Sequence, residues 1–568
     1  MKKILITLLL FTAFTLNAQD YKQQLLNSQY IENYIEIKMA NKADIEPLIA
    51  KYSVDEVKYN PEQNLYKAKI FLHQKDYQNF INENIPFQLL EIQDREVNVN
   101  MATTLGTFLS SWTLYPTYSV YEQLLDYFQS TFPERCKVDT ILSQTPNSHK
   151  ILAVHISNSL NTPQAKPRFF YSSTMHGDET CGYFLMLQLI NYLLTHPTDT
   201  KVSQILEEID LWICPLENPD GTYRVNNNDL GVNYSTRASY NGTDLNRHYP
   251  DAFADLGINY EPEIMAMLNF MGQKHFTMSA NLHGGAELFN YIWDLYTSSN
   301  PNHQHPDQLW WNQTGRKFAD TCHLYNANYF KGEDNGVTEG GDWYVITGSR
   351  QDCNNYHLRC REVTLETCNN KTPQNAQLNN LWNYIRRSLI NYILEVKSGF
   401  NGIVTDSVTG IPLKAHVFIN NYDKESEKSD LYTALPFGDY YRPIGAGNYS
   451  VTYSADSYIS QTHILTVNAD VAVRKDVQLV KIGTSISDYE HAVTIFPNPV
   501  ENVMTLKLSD PTLLNADLMI YDVNGKMLYQ KAIYEENTVI NLSTFASGFY
   551  FMSLSKEGKT LISKKIIH

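Results

Sequence analysis

The sequence predicts an α/β fold: a mixed, mostly parallel sheet flanked by helices, preceded by a small α+β unit and followed by two small β-sandwich modules. Three observations carry that expectation. Between residues 106 and 395, strand-like runs (KILAVHIS, RFFYSS, IDLWICP, FTMSAN, REVTLE) alternate with helix-like runs (CGYFLMLQLINYLL, PEIMAMLNFMG, LNNLWNYIRRSLINYILEV). From residue 396 onward the chain changes to short alternating segments broken by turn residues. The length of 568 residues exceeds one ordinary core, and about 100–200 residues per domain gives roughly three or four units.

Taken in order, residues 1–18 read as a signal peptide. Lys2 and Lys3 form a basic head, Ile4–Leu16 is apolar, and Asn17-Ala18 supplies the small residue before a cut ahead of Gln19. The apolar run is shorter than the ~20 residues a membrane span needs, and no comparable run follows, so no transmembrane segment is expected in the mature chain. Residues 19–105 form an α+β unit, with strand patterns in YIEIKM, LYKAKIFLH and PFQLLEIQ and helix patterns in KADIEPLIAKY and QKDYQNFINEN. Either an activation domain (a prodomain) or a permanent accessory domain fits. Residues 106–395 are the main unit. Residues 396–480 read as a β-sandwich, 481–492 as a linker, and 493–568 as a second β module, in which Asn524-Gly525 is a hairpin signal.

The net charge of -16 disfavours non-specific nucleic-acid binding, which needs a basic footprint. The seven cysteines all fall between Cys136 and Cys368. An odd number leaves at least one unpaired within the chain, and without a CxxC a cysteine-ligated metal is not expected.

The chemistry gathers around YSSTMHGDETCGY, residues 171–183. His176 and Glu179 stand three apart where a strand pattern gives way to a helix pattern, and on a first helical turn they would point the same way. An imidazole and a carboxylate so placed form a zinc half-site. His283, at the end of FTMSANLH and followed by Gly284 and Gly285, is the best third ligand. Two histidines and a glutamate leave a fourth position open, as catalytic zinc sites do. Glu366, ending REVTLE, is the candidate general base, and Glu362, four residues earlier, is its decoy. Arg237, Asn246 and Arg247 in TRASYNGTDLNRHYPD suit a carboxylate receptor, because guanidinium geometry matches a carboxylate bidentately. Arginine can also hold developing charge on a carbonyl oxygen.

HGDE, NPDG at 218–221, NGTDLNRHYPD at 241–251, a later LHGG, GGDWY at 340–344 and EVTLE at 362–366 together resemble the zinc metallocarboxypeptidases. The similarity is to their regulatory branch, which includes carboxypeptidases D, E and N, and it spans about residues 110–395. It implies one zinc ion on His176, Glu179 and His283, Arg237 polarising the scissile carbonyl, and Asn246 and Arg247 gripping the terminal carboxylate of a peptide or protein. It further implies that Tyr344 closes over the bound residue and that Glu366 is the base. A transthyretin-like module follows the catalytic domain in that branch, as the β-sandwich does here. Asp294 and Gln351 match the residues lining the branch's side-chain pocket, which implies a preference for C-terminal Lys or Arg. Two other roles for Asp294 stay open, a solvated loop position or a pair with Arg350. The chain departs from the branch at GSRQD (GGMQD in the family) and NRH (NRN in the family).

FPNPV at 496–500, YDVNGK at 521–526, ASGFY at 546–550 and KKII at 564–567 resemble the C-terminal sorting domain of the type IX secretion system of Bacteroidetes. That implies passage through the periplasm to the medium or the outer cell surface, with the type IX machinery as a partner. The competing readings are an inactive peptide- or glycan-binding protein on the same fold and a cell-wall peptide hydrolase. The sequence leaves the oligomeric state open.

Overall fold

The computed structural model describes residues 20–49, 51–91, 98–224, 229–233, 235–253, 259–469, 471–482 and 489–568. The signal-peptide reading therefore lies outside the described residues. The chain divides into two compact units: one runs to Asp456 and takes in Ser460–Leu479, and the other holds Ser457–Ile459 and Val480–His568.

The first unit opens with a four-stranded antiparallel sheet, β1 (Glu32–Met39), β2 (Ser53–Asn60), β3 (Leu65–His73) and β4 (Phe87–Leu90), in the order β2-β3-β1-β4. Ile35, Ile37, Ala68, Ile70 and Phe80 form its dry core. Within KADIEPLIAKY, the described residues 42–49 form a 3₁₀ turn, Lys42–Asp44, and one helical turn, Glu46–Ile49. Proline at position 47 suits only a first helical turn, because it has no N–H to donate.

The main unit is built on eight strands: β5 (Cys136–Leu142), β6 (Ile151–Ile156), β7 (Arg168–Ser173), β8 (Asp210–Cys214), β9 (Met278–His283), β10 (Ala286–Tyr291), β11 (Val337–Glu339) and β12 (Arg361–Cys368). Their order is β11-β10-β12-β9-β7-β8-β6-β5. The central run β12-β9-β7-β8 is parallel, and β10-β12, β8-β6 and β6-β5 are antiparallel. Every residue of β8, β9 and β12 is buried, as expected of strands covered on both faces.

Successive side chains of a strand point to opposite faces, and β7 shows it. Phe169 and Tyr171 join the core with α1 (Tyr118–Thr131), α2 (Thr180–Thr195), α5 (Gln308–Tyr325) and α7 (Asn375–Leu394). Phe170 between them joins Met267, Phe270 and Met271 of α4 (Pro262–Lys274) on the other side. Two further helices are α3 (Thr200–Glu208) and α6 (Arg350–Leu358). The antiparallel margins β5, β6 and β10 and the short β11 complete a sheet whose parallel centre the sequence patterns located.

The β-sandwich of the first unit pairs Phe400–Asp406 with Asp439–Arg442 in one sheet and His416–Ile419 with Gly447–Ser454 and Gln461–Val467 in the other. It joins the main unit through a buried ionic knot. The Arg442 guanidinium meets both oxygens of Asp307 at 2.8 Å, Arg361 meets the same carboxylate at 3.0 Å, and Asp423 accepts from Arg442 at 3.0 Å. A fork-on-carboxylate pair of this kind fixes orientation as well as distance.

In the second unit, Val493–Phe496, Val503–Leu508 and Asn537–Asn541 form one sheet, and Ala516–Tyr521, Met527–Ile533, Phe549–Lys556 and Lys559–Ile567 form the other. Gly525 has φ +79° and donates to the Asp522 carbonyl at 3.0 Å, so the Asn524-Gly525 signal is a turn. All seven cysteines are free thiols and buried. Among the described residues, no helix is long and apolar enough to cross a membrane.

Candidate metal centre and substrate cleft

β7 ends at Ser173, and the chain turns before α2 begins at Thr180. His176 and Glu179 therefore lie in the turn, with Glu179 as the residue before the helix, and not on a first helical turn as the sequence suggested. They still face one way, because the Glu179 N–H donates to the His176 carbonyl at 3.1 Å. Gly177 between them is obligatory: a Cβ there would lie 2.3 Å from the Gly221 carbonyl carbon in the NPDG turn.

His176 Nδ1 lies 3.0 Å from Glu179 Oε1, His283 Nδ1 lies 2.9 Å from Glu179 Oε2, and the two Nδ1 atoms are 3.0 Å apart. These ligand atoms fall within 4.8 Å of one another. Two imidazole nitrogens converging on each other and on one carboxylate fit a shared divalent cation, since protons alone cannot satisfy all three contacts. Nε2 of His176 is held 3.0 Å from Asp244 Oδ1, which fixes the ring and its tautomer. Burial pushes His283 down to about 4, so its ring is neutral, the form a metal takes. Burial alone would raise Glu179, but His176, Lys371 and His283 outweigh it and hold its carboxyl well below the usual range. The cluster is positioned to coordinate a single Zn²⁺.

Glu366 is paired with His283 in the parallel register of β9 and β12. It lies within β12, which continues to Cys368, rather than at a strand end. Its Oε2 is buried and has no hydrogen-bond partner among the described residues. Burial first, and then the charge of Glu179, push its carboxyl well above the usual range. The decoy Glu362 points elsewhere. It receives Arg350 at 3.1 Å and Ser279 at 2.5 Å in a fully buried network.

One cleft of about 440 Å³ brings together His176, Glu179, His283, Glu366, Arg237, Asn246, Arg247 and Tyr344. Arg237 directs Nη1 to Glu179 at 3.1 Å and Nε to Asp244 at 3.0 Å. Asn246 Oδ1 accepts the Arg350 N–H at 3.0 Å. Asp294 and Gln351 bond to each other at 3.1 Å but are not among the residues lining this cleft. Asp294 is 3% exposed. Its Oδ1 also accepts from Asn290 at 3.1 Å, and burial raises its carboxyl. Asp294 is therefore not a solvated loop residue. Nor is it the partner of Arg350, whose guanidinium is engaged by Glu217 and Glu362.

Two residues of the site were missed in the sequence. Asp244 sits inside the NGTDLNR landmark, and its position two residues before Asn246 was the only clue. Lys371 places Nζ 3.2 Å from Glu179 and 3.3 Å from Asp178. It follows Glu366 by five residues, beyond the strand, where no pattern marked it.

The N-terminal domain enters the same cleft. The Val54 carbonyl accepts from Arg247 Nη2 at 2.6 Å. Asp55 stands 3.5 Å from Arg237 Nη1. Glu32 accepts the backbone N–H groups of Arg237 and Ala238 at 2.9 and 3.3 Å. The Phe71 ring lies under Lys371 Nζ and the Arg237 guanidinium, at 4.3 and 5.3 Å.

An open His-Glu-His metal set at the C-terminal ends of parallel strands, with a glutamate one strand away, defines the class as a zinc hydrolase of the α/β type. Comparison with known proteins narrows this. The zinc carboxypeptidase family model matches residues 121–387, and that of the secretion system C-terminal sorting domain matches residues 494–568. Mouse carboxypeptidase M is 31% identical over 345 residues, covering 57% of this chain and 72% of that protein. Human carboxypeptidase D is 29% identical over 455 residues, covering 75% of this chain. The chain spans about a third (32%) of the length of that protein. The crystal structure of carboxypeptidase A from Helicoverpa armigera aligns with a TM-score of 0.47 at 14% identity, covering 64% of this chain and 98% of that one. The chain belongs to the zinc carboxypeptidase family. Its C-terminal module is a type IX sorting domain, which directs export to the cell surface or the medium.

Proposed function

We propose that the protein is an exported zinc carboxypeptidase that releases single residues from peptide or protein C termini, prefers Lys or Arg there, and is made as a blocked precursor. The observation that carries the reading is the convergence, in one cleft, of an open metal set, a glutamate with one buried oxygen unpartnered among the described residues, and two arginines. A bound zinc ion supplies Lewis-acid polarisation of the scissile carbonyl and acidifies water. Arg247 and Asn246 receive the substrate's terminal carboxylate. Tyr344 covers the bound residue. Arg237 stabilises negative charge on the carbonyl oxygen as water adds to its carbon. Glu366 takes the proton from that water and delivers it to the leaving amine as the C–N bond breaks. Asp244 holds His176 in place, and Lys371 balances the carboxylates of Asp178 and Glu179.

Within the family the reading favours the regulatory branch, because Asp294 and Gln351, which match the residues of that branch's side-chain pocket, are bonded to each other. The hydrogen bonds to Asp294 come from the neutral side chains of Asn290, Gln351 and Ser349, and the charge of Arg247 does not offset the cost of burial, so a substrate ammonium or guanidinium is the favoured occupant. The test is a peptide series ending in Lys, Arg, Phe, Leu or Glu. Lys and Arg should lead in kcat/KM by at least about tenfold, roughly 1.4 kcal/mol of transition-state discrimination. Asp294→Ala should erase that lead with zinc content unchanged. A wild-type preference for Phe or Leu would refute the pocket while leaving the metal chemistry standing.

The blocked-precursor reading is supported by Val54 and Asp55, which occupy the two arginines that substrate needs. Residues 19–105 are on this reading an activation domain.

A further inference from the structure

The pocket is held by a residue outside the catalytic domain. Trp293, the residue before Asp294, is fully buried. Its main chain supports both sides of the substrate pocket. The Trp293 carbonyl accepts the Gly341 N–H at 2.7 Å, and the Asp294 carbonyl accepts the Ile346 N–H at 3.1 Å. Those two bonds fasten the segment that carries Tyr344. On the other side, the Asp294 and Leu295 N–H groups both donate to Asp352, at 2.9 and 3.0 Å. The position of Trp293 therefore sets that of Asp294 and of Tyr344 together.

The Trp293 indole N–H donates to Glu427 Oε2 at 2.9 Å. Glu427 ends the Glu425–Glu427 turn of the β-sandwich and is itself fully buried. Its second oxygen accepts from Ser426 at 3.3 Å, and His303 lies 3.5 Å from it. The Phe253 ring packs edge-on against the indole, with centroids 5.2 Å apart. An indole has one donor and no acceptor, so a buried carboxylate is a strong and directional anchor for it. The Asp307–Arg442 pair nearby keeps the sandwich in register with the catalytic domain, so the anchor is rigid.

We infer that Glu427 of the β-sandwich is a positioning residue for substrate specificity: through Trp293 it places Asp294 and Tyr344 around the C-terminal side chain. This deepens the proposed carboxypeptidase reading and rests on it. The β-sandwich then completes the active site and is more than an appended module. A shift of about 1 Å in positioning groups is enough to cost up to about 100-fold in rate.

The experiment uses the secreted protein purified from the medium. It measures kcat and KM on peptides ending in Arg and in Phe, free-arginine affinity by calorimetry, and Tm. Glu427→Ala is expected to weaken arginine binding and raise KM for the Arg-ending peptide about tenfold, and to lower the Arg-to-Phe ratio about fivefold. Glu427→Gln retains an acceptor for the indole and should restore all three. Trp293→Phe removes the donor and should reproduce the loss, serving in place of Glu427→Ala if that variant does not fold. The double variant should be no worse than either single one, because both break the same bond. A Glu427→Ala protein with lowered Tm but wild-type arginine affinity and Arg-to-Phe ratio overturns the inference, as do fully additive effects in the double variant. A wild-type protein, zinc-replete and freed of residues 19–105, that cleaves no peptide of either series instead overturns the proposed activity.

Discussion

Glu366→Gln is expected to lower turnover by about 10²–10⁴-fold while zinc content and substrate affinity stay near wild type. The amide keeps the shape of the side chain but cannot take a proton from water. Glu366 lies beside His283 in the strand register, with a buried oxygen that none of the described residues satisfies. Glu362, the other carboxylate of the strand, is enclosed by Arg350, Ser279 and Asn354 and has no route to the cleft. Single-turnover kinetics and metal analysis on the same preparation separate the two roles. A Glu366→Gln protein that turns over near the wild-type rate would remove Glu366 as the base.

The precursor carrying Glu32→Ala and Asp55→Ala together is expected to gain activity, on the order of 10²-fold over the unaltered precursor. Glu32 accepts the backbone N–H groups of Arg237 and Ala238, and Asp55 faces the Arg237 guanidinium. Hydrogen bonds involving a charged partner are worth about 1.5–3 kcal/mol each, so losing even two shifts a closed-to-open equilibrium by at least about two orders of magnitude. Initial rates on a single Arg-ending peptide, with both proteins checked by mass for an intact N-terminus, give the comparison. Equal and high activity of the two intact precursors would make residues 19–105 an accessory domain and not a block.

The parallel centre of the sheet was legible because its strands are apolar on both faces, and RFFYSS and IDLWICP could hardly be anything else. Of the margins only β6, read as KILAVHIS, was legible. β5, CKVDTIL, is half-buried and charged, so it carries little of the strand signal. The same weakness hid β2, SVDEVKYN, in which only Val54 is buried. That omission matters most, because β2 brings Val54 and Asp55 into the cleft. The zinc ligands were legible as residue types in order, but not their local geometry: the pattern suggested a helical turn where the chain makes a tight turn through Gly177. Asp244 and Lys371 were not legible, since each acts by touching a ligand that is distant in sequence. Nor could the sequence show that Arg350, in place of the family's methionine, turns away from Asp294 toward Glu217 and Glu362.

The central claim is that the His176, Glu179 and His283 cluster holds one zinc ion that serves the removal of C-terminal residues. Metal analysis of the secreted protein, coupled to mass spectrometry of an Arg-ending peptide digest, tests it most directly. The account predicts one zinc per chain, loss of one residue at a time from the C-terminus, loss of that activity with a chelator and its return with zinc, and sub-stoichiometric zinc in His283→Ala. Peptides left intact by zinc-replete protein freed of residues 19–105, or internal cleavage in place of terminal trimming, would contradict it.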